Sequence, residues 1–143
     1  MVFREANPAD IPALSDIRLS VTENALSDPR KVTPEMYADY LSASGKGWLC
    51  EVDGVVAGFS VASLKDASIW ALFVKPGYEG RGIGTRLLSL ATRWLFEMGA
   101  SSISLSTYAG TRADRLYERQ GWKRGEIKPD GEVGYRLDKT ART

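Results

Sequence analysis

The chain begins with a short β-strand pattern, Val2 to Ala6, and turns helical after Asn7-Pro8, an N-cap followed by a first helical residue. Ile11, Leu14, Ile17, Arg18 and Val21 then recur at helical spacing, until Asn24 to Lys31, rich in turn residues, breaks the pattern. Thr33-Pro34-Glu35 repeats the cap logic for a second, shorter helix with Met36, Tyr37, Tyr40 and Leu41 on its apolar face, and Gly45 and Gly47 are expected to end it. Strands follow. Trp48 to Val52 and Val55 to Leu64 flank Asp53-Gly54, a pair suited to a type I′ hairpin turn, and Ser68 to Val74 forms the next strand, which Pro76 cannot continue. Leu87, Leu88, Ala91, Trp94, Leu95 and Met98 make one face of a helix over Arg86 to Met98, with Gly99 as its stop. Ile103, Leu105 and Thr107 alternate with Ser102, Ser104 and Ser106, a strand with one buried face. A helix over Thr111 to Gln120 and a hairpin of Trp122 to Ile127 with Glu132 to Leu137 complete the pattern.

Strand, crossover helix and strand over Ser68 to Thr107 predict a βαβ unit, whose ligand normally sits at the carboxyl ends of its strands. The connection there reads EGRGIGT, Glu79 to Thr85. Gly80, Gly82 and Gly84 let the backbone lie against a ligand, and a loop opening directly onto a helix joins unpaired N–H groups to the helix dipole. That combination suits an anion. It is not a P-loop, because Ile83 and Gly84 follow Gly77 and Gly82 where Lys and Ser/Thr are needed. Nor is it a Rossmann fingerprint, since Thr85 and Leu87 stand where the third small residue belongs. A turn that merely joins strand to helix is the plainer alternative.

Composition narrows the partners. A chain of 143 residues, 43% hydrophobic and 26% charged, suits one globular domain over 1–143. Its formal charge of +1 gives no overall field for nucleic acid or an anionic membrane. The longest apolar run is far too short to span a bilayer and Met1 to Asp10 lacks a signal-peptide core, so a soluble cytoplasmic protein is expected. One cysteine excludes an internal disulfide, and the absence of histidine removes the commonest metal ligand and general base, so no metal is expected.

In order along the chain, Leu72-Phe73-Val74-Lys75-Pro76, the EGRGIG loop and Ala113-x-x-Leu116-Tyr117-x-x-x-Gly121-Trp122 resemble the GNAT superfamily of acyl-CoA-dependent N-acyltransferases. The resemblance is specific from about Ser68 to Trp122. It implies an α/β (α+β) fold: a central mixed, mostly antiparallel sheet splayed between strands 4 and 5, flanked by about four helices, with coenzyme A wedged in the gap. The family's loop pattern is Gln or Arg, two residues, Gly, one residue, then Gly or Ala; Gly82 and Gly84 match it, while Glu79 departs from it and is expected to turn outward. By that resemblance the amides of Gly80, Arg81, Gly82, Ile83, Gly84 and Thr85 hold the pyrophosphate of acetyl-CoA, and exposed backbone of Leu72, Phe73 and Val74 pairs with the pantetheine arm. Gly110 stands where the family often has Asn; amides of Gly110 and Thr111, beside Ala113, are the substitute contacts. The run Arg112, Arg115, Arg119, Lys123 and Arg124 ordinarily reads as a solvated face, but with Arg81 and Arg86 nearby in the expected fold one or two of these are candidate phosphate partners, with Arg86 favoured.

Tyr117 is the candidate general acid. A phenol of pKa near ~10 donates to a thiolate whose conjugate acid is near ~8.5 at a cost of only ~2 kcal/mol, which a positioned donor offsets. Spacing alone favours a core aromatic beside Leu116, and the resemblance reverses that preference. For the base, Glu23 is one candidate and water relayed to backbone carbonyls another; a solvated loop carboxylate is the ordinary reading of Glu23. Together these readings imply an N-acetyltransferase working by direct attack on an amine of a small molecule or peptide, with Val21 to Tyr40 choosing the acceptor. A non-catalytic acyl-CoA-binding or sensing module is the alternative. Homodimers are common among such relatives, though no exposed apolar stripe in the sequence establishes one.

Overall fold

The computed structural model describes residues 1–21 and 33–139. Its elements are β1 (Val2–Glu5), α1 (Ile11–Ser20), α2 (Pro34–Tyr40), β2 (Gly45–Val52), β3 (Val55–Ser63), β4 (Ser68–Val74), α3 (Ile83–Glu97), β5 (Ser102–Tyr108), α4 (Arg112–Arg119), β6 (Lys123–Ile127) and β7 (Glu132–Asp138). A single 3₁₀ turn, Pro8–Asp10, precedes α1, closed by a capping box between Asn7 and Asp10. The strands form one seven-stranded mixed sheet in the order β1-β2-β3-β4-β5-β7-β6. Among the paired strands only β4 and β5 run parallel, and α3 makes the crossover that such a pair requires.

Two differences from the sequence reading have physical causes. Gly45 and Gly47 do not end a helix; they open β2. A Cβ at Gly45 would stand 1.9 Å from the Ala62 carbonyl oxygen, so glycine is needed there for close strand approach. α3 starts at Ile83, three residues before the apolar periodicity becomes visible, because Gly82 in the left-handed region (φ 82°) serves as its N-cap. The Asp53-Gly54 turn has both residues at positive φ, as a type I′ hairpin needs.

The two sheet faces are covered differently. α1 and α2 pack on one face over Leu49, Phe59, Val61, Ala71 and Phe73; α3 packs on the other over Cys50, Ala57 and Ala62, with Leu72 and Val74 on that same side. β4 changes parity partway along. Ala71 pairs with Val61 and Ile69 with Ala62, so Trp70 is an extra residue, a β-bulge. The bulge sends consecutive Trp70 and Ala71 to the α1/α2 face. It also marks where β4 leaves β5: Ser68 and Ser104 are paired, supported by the Ser104 N–H donating to the Ala67 carbonyl, and no further rung joins them. The sheet therefore opens toward the carboxyl ends of both strands.

Candidate functional site

The opening beyond Ser68 and Ser104 leads into a cleft of about 390 Å³, bounded by β4, the turn after it, the start of α3 and one side of α4. Backbone geometry decides what β4 offers to it. The Lys75 N–H donates to the Ala57 carbonyl at 2.7 Å. Antiparallel pairing alternates, so Phe73 and Ala71 likewise direct their N–H and C=O toward β3, while those of Leu72 and Val74 face the gap. Leu72, Phe73 and Val74 all line the cleft.

Gly80 (φ 76°) and Gly82 (φ 82°) carry the chain around to α3, and no side chain caps the helix that follows. The first bond at this end is from the Arg86 N–H to the Gly82 carbonyl at 3.1 Å, which leaves the N–H groups of Ile83, Gly84 and Thr85 without a helical partner. Gly80, Gly82, Ile83, Gly84 and Thr85 all border the cleft, as does Ala113 across from them. A 15-residue helix pointing its uncapped N-terminus into a cavity suits an anion.

Other predicted residues lie elsewhere. Arg81 sits over the Tyr78 ring at 5.2 Å and Arg86 over Phe3 at 5.8 Å, and neither lines the cleft. Its basic lining comes from Arg112 and Arg119 on α4, one turn above and one below Leu116. Glu79 does border the cleft and does not extend freely outward: its exposed carboxylate turns back to accept the Gly77 N–H at 2.8 Å. That bond and one to its own N–H hold its carboxyl below the usual range, with Arg112 adding to the effect. Glu23 lies outside the described residues.

Gly110 and Thr111 are engaged in building α4. The Gly110 N–H donates to Asp114 Oδ2 at 2.9 Å, while Thr111 Oγ1 accepts from the Asp114 N–H and donates to the Tyr108 carbonyl. Asp114 is buried and also takes both arms of Arg124, Nε at 3.0 Å and Nη2 at 2.8 Å, and the Tyr135 hydroxyl. Arg124 drives its carboxyl far below the ordinary value against the cost of burial, with Tyr135 and Gly110 reinforcing it. Burial, then the bond to Asp114, pushes the Tyr135 phenol up to about 12. This network ties α4 to the final hairpin, and no local motif announces it.

Tyr117 is 4% exposed, its ring 5.8 Å from Trp122 and 5.4 Å from Tyr135, and it is not among the residues bordering the cleft. No hydrogen bond to its hydroxyl is formed among the described residues. Burial, with Tyr135 beside it, raises its pKa well above the ordinary phenol value, so it stays protonated throughout the neutral range. Among the described residues, no group of three His, Cys, Asp or Glu side chains is placed to hold a metal, and no helix is long and apolar enough to cross a membrane.

Comparison with known proteins places this geometry among relatives. Residues 12–122 match the acetyltransferase (GNAT) family. The aminoglycoside N(6')-acetyltransferase type 1 of Stenotrophomonas maltophilia is 28% identical over 116 residues, covering 71% of this chain and 72% of that protein. In fold, the chain is similar to the ribosomal-protein-alanine N-acetyltransferase of Brucella melitensis, with a TM-score of 0.79 at 22% identity over 97% of this chain and 100% of the other. It is also similar to the PaiA N-acetyltransferase of Thermoplasma acidophilum, solved in complex with coenzyme A, with a TM-score of 0.81 at 16% identity over 96% and 98% of the two chains.

Proposed function

The chain belongs to the acetyltransferase (GNAT) family, and from that premise we propose that it moves an acetyl group from acetyl-CoA to an amine by direct attack within a ternary complex. One observation carries the donor half: an open β4 edge and the uncapped N-terminus of α3 meet in a single cleft. The N–H groups of Ile83, Gly84 and Thr85 suit a pyrophosphate, and Arg112 and Arg119 add charge across from them. Leu72 and Val74 pair with the amides of the pantetheine arm as a neighbouring strand would. The resemblance to a protein solved with coenzyme A supports the same ligand.

In the reaction, an N–H of β4 facing the gap polarises the thioester carbonyl, and the neutral amine attacks from the α1/α2 side. An alkylamine of pKa near ~10.4 costs roughly 4 to 5 kcal/mol to deprotonate at pH 7, so a proton acceptor is needed; Glu23 or a water relay fills that role. Tyr117 then gives its proton to the departing thiolate. Burial weakens it as an acid, yet the same environment destabilises the thiolate, so the transfer is not opposed by the full rise.

A non-catalytic acyl-CoA-binding module is the second reading, favoured by Tyr117 standing behind the cleft lining. Thiol release from acetyl-CoA across amines, amino acids and N-terminal peptides separates the two. Acetyl transfer requires amine-dependent release, lowered at least ~10-fold by Tyr117→Phe with coenzyme A affinity retained. Tight cofactor binding without amine-dependent release would establish the binding module instead.

A further inference from the structure

Arg18 lies on the inward side of α1 between buried Leu14 and Ile17 and the end of the helix. Its guanidinium is 4.8 Å over the Phe73 ring and 5.7 Å over Trp70. Tyr37 meets Trp70 edge-on at 5.2 Å, and Tyr40 stacks on its other side at 4.4 Å. The result is an aromatic cluster around one cation. Arg18 Nε and Nη1 and the Tyr37 hydroxyl are shut from solvent; the guanidinium and phenol lie near each other, but no well-aligned hydrogen bond satisfies them. Among the described residues, no carboxylate forms an ion pair with Arg18.

Such a group is expensive to keep. Buried donors without acceptors lose the hydration they had, and stacking on aromatic faces restores only part of it. Burial pulls the guanidinium pKa below its ordinary value, with the nearby phenol opposing. A leucine or methionine would pack this face of α1 without that loss, so the arrangement calls for a ligand that completes it.

Its position says which ligand. Phe73 borders the cleft from the α1/α2 face, as does Val21 just after α1, whereas Leu72 and Val74 turn their side chains toward α3. Phe73, which borders the cleft and lies under the Arg18 guanidinium, thus stands between the donor cradle and the Arg18 cluster, whose own residues do not line the cleft. Resting on the acetyl-transfer reading, we infer that Arg18 and Tyr37 form a carboxylate-recognition subsite, so that the acceptor is an amine that also carries a carboxylate, an amino acid in the simplest case. The guanidinium N–H groups and the phenol O–H supply donors for the two carboxylate oxygens. The same buried cation repels polycationic acceptors, so the relative's aminoglycoside chemistry does not carry over.

The test measures kcat/KM for amino acids, each against its own carboxamide, with the full chain and saturating acetyl-CoA. Acids should exceed their amides by at least ~50-fold, because a site built for a polar group strongly rejects the analogue that lacks it. Arg18→Met should collapse that ratio to within ~3-fold, acting mainly on the acceptor KM, and Arg18→Lys should retain part of it. Unchanged coenzyme A affinity and an intact circular dichroism spectrum confirm that both variants fold. Equal rates for acids and amides, or a preference surviving Arg18→Met, would overturn the subsite.

A second readout does not depend on turnover. With coenzyme A bound, N-acetyl amino acids should shift the NMR signals of the Arg18 Nε–H and the Trp70 indole N–H, and their carboxamides should not. If that shift appears but no amine promotes thiol release, the carboxylate subsite stands and acetyl transfer fails. If amines are acetylated with no preference and no shift, the reverse holds.

Discussion

At the scale of single residues, the glycines of the loop are not equivalent. Gly82 has φ 82° and caps α3, whereas Gly84 lies inside the helix, where an added Cβ would find only ordinary contacts at 3.5 Å with Leu116 and Val74. An alanine at Gly82 costs about 1 to 2 kcal/mol in backbone strain and tilts the amides that follow. By isothermal titration, Gly82→Ala should weaken coenzyme A binding at least ~10-fold, while Gly84→Ala should stay within ~3-fold, as helical geometry at Gly84 permits. Equal losses would mean that loop strain does not set affinity. The sequence allowed the glycine pattern to be read because spacing is local. It could not assign the arginines, since whether Arg86 reaches the cleft or Phe3 depends on the rotation of α3 against a strand eighty residues upstream.

Among the elements, β4 was legible to the residue: Ser68 and Val74 bound it in sequence and structure alike. Its bulge was not. An apolar run such as Ile69 to Val74 hides its parity, and only pairing with β3 exposes the extra Trp70. Hydrogen exchange followed by NMR checks the consequence. Without ligand, the amide of Phe73 should exchange at least ~10-fold more slowly than those of Leu72 and Val74, and coenzyme A should slow one or both of the latter. Fast exchange at Phe73 would reverse the assignment of the open edge. β5 shows the opposite case: Ile103, Leu105 and Thr107 are buried as their alternation predicts, because one face of that strand stays wet.

For the whole molecule, the order of strands and helices followed from periodicity, but the attachment of α4 to the last hairpin rests on Asp114, Arg124 and Tyr135, whose partnership spans 21 residues and has no sequence signal. This attachment should be pH-dependent. The folded-state pKa of Asp114 is depressed, so its contribution is complete above the unfolded value near ~3.9 and fades as pH falls toward the folded one. Asp114→Asn should cost about 2 kcal/mol at pH 7 in urea unfolding, and the gap to the unmodified chain should narrow below about pH 4. A gap that is constant across that range would assign the loss to packing alone.

The single rung between β4 and β5 also gives the sheet four edges in place of two. β1 and β6 end it on the outside; the other two are internal, along the diverging halves of β4 and β5. Unpaired edges are templates on which foreign strands add, and aggregation begins there. Here the β4 edge lines a walled cleft, so the backbone groups proposed to hold a slender cofactor are kept in a place where another polypeptide has little room to pair with them.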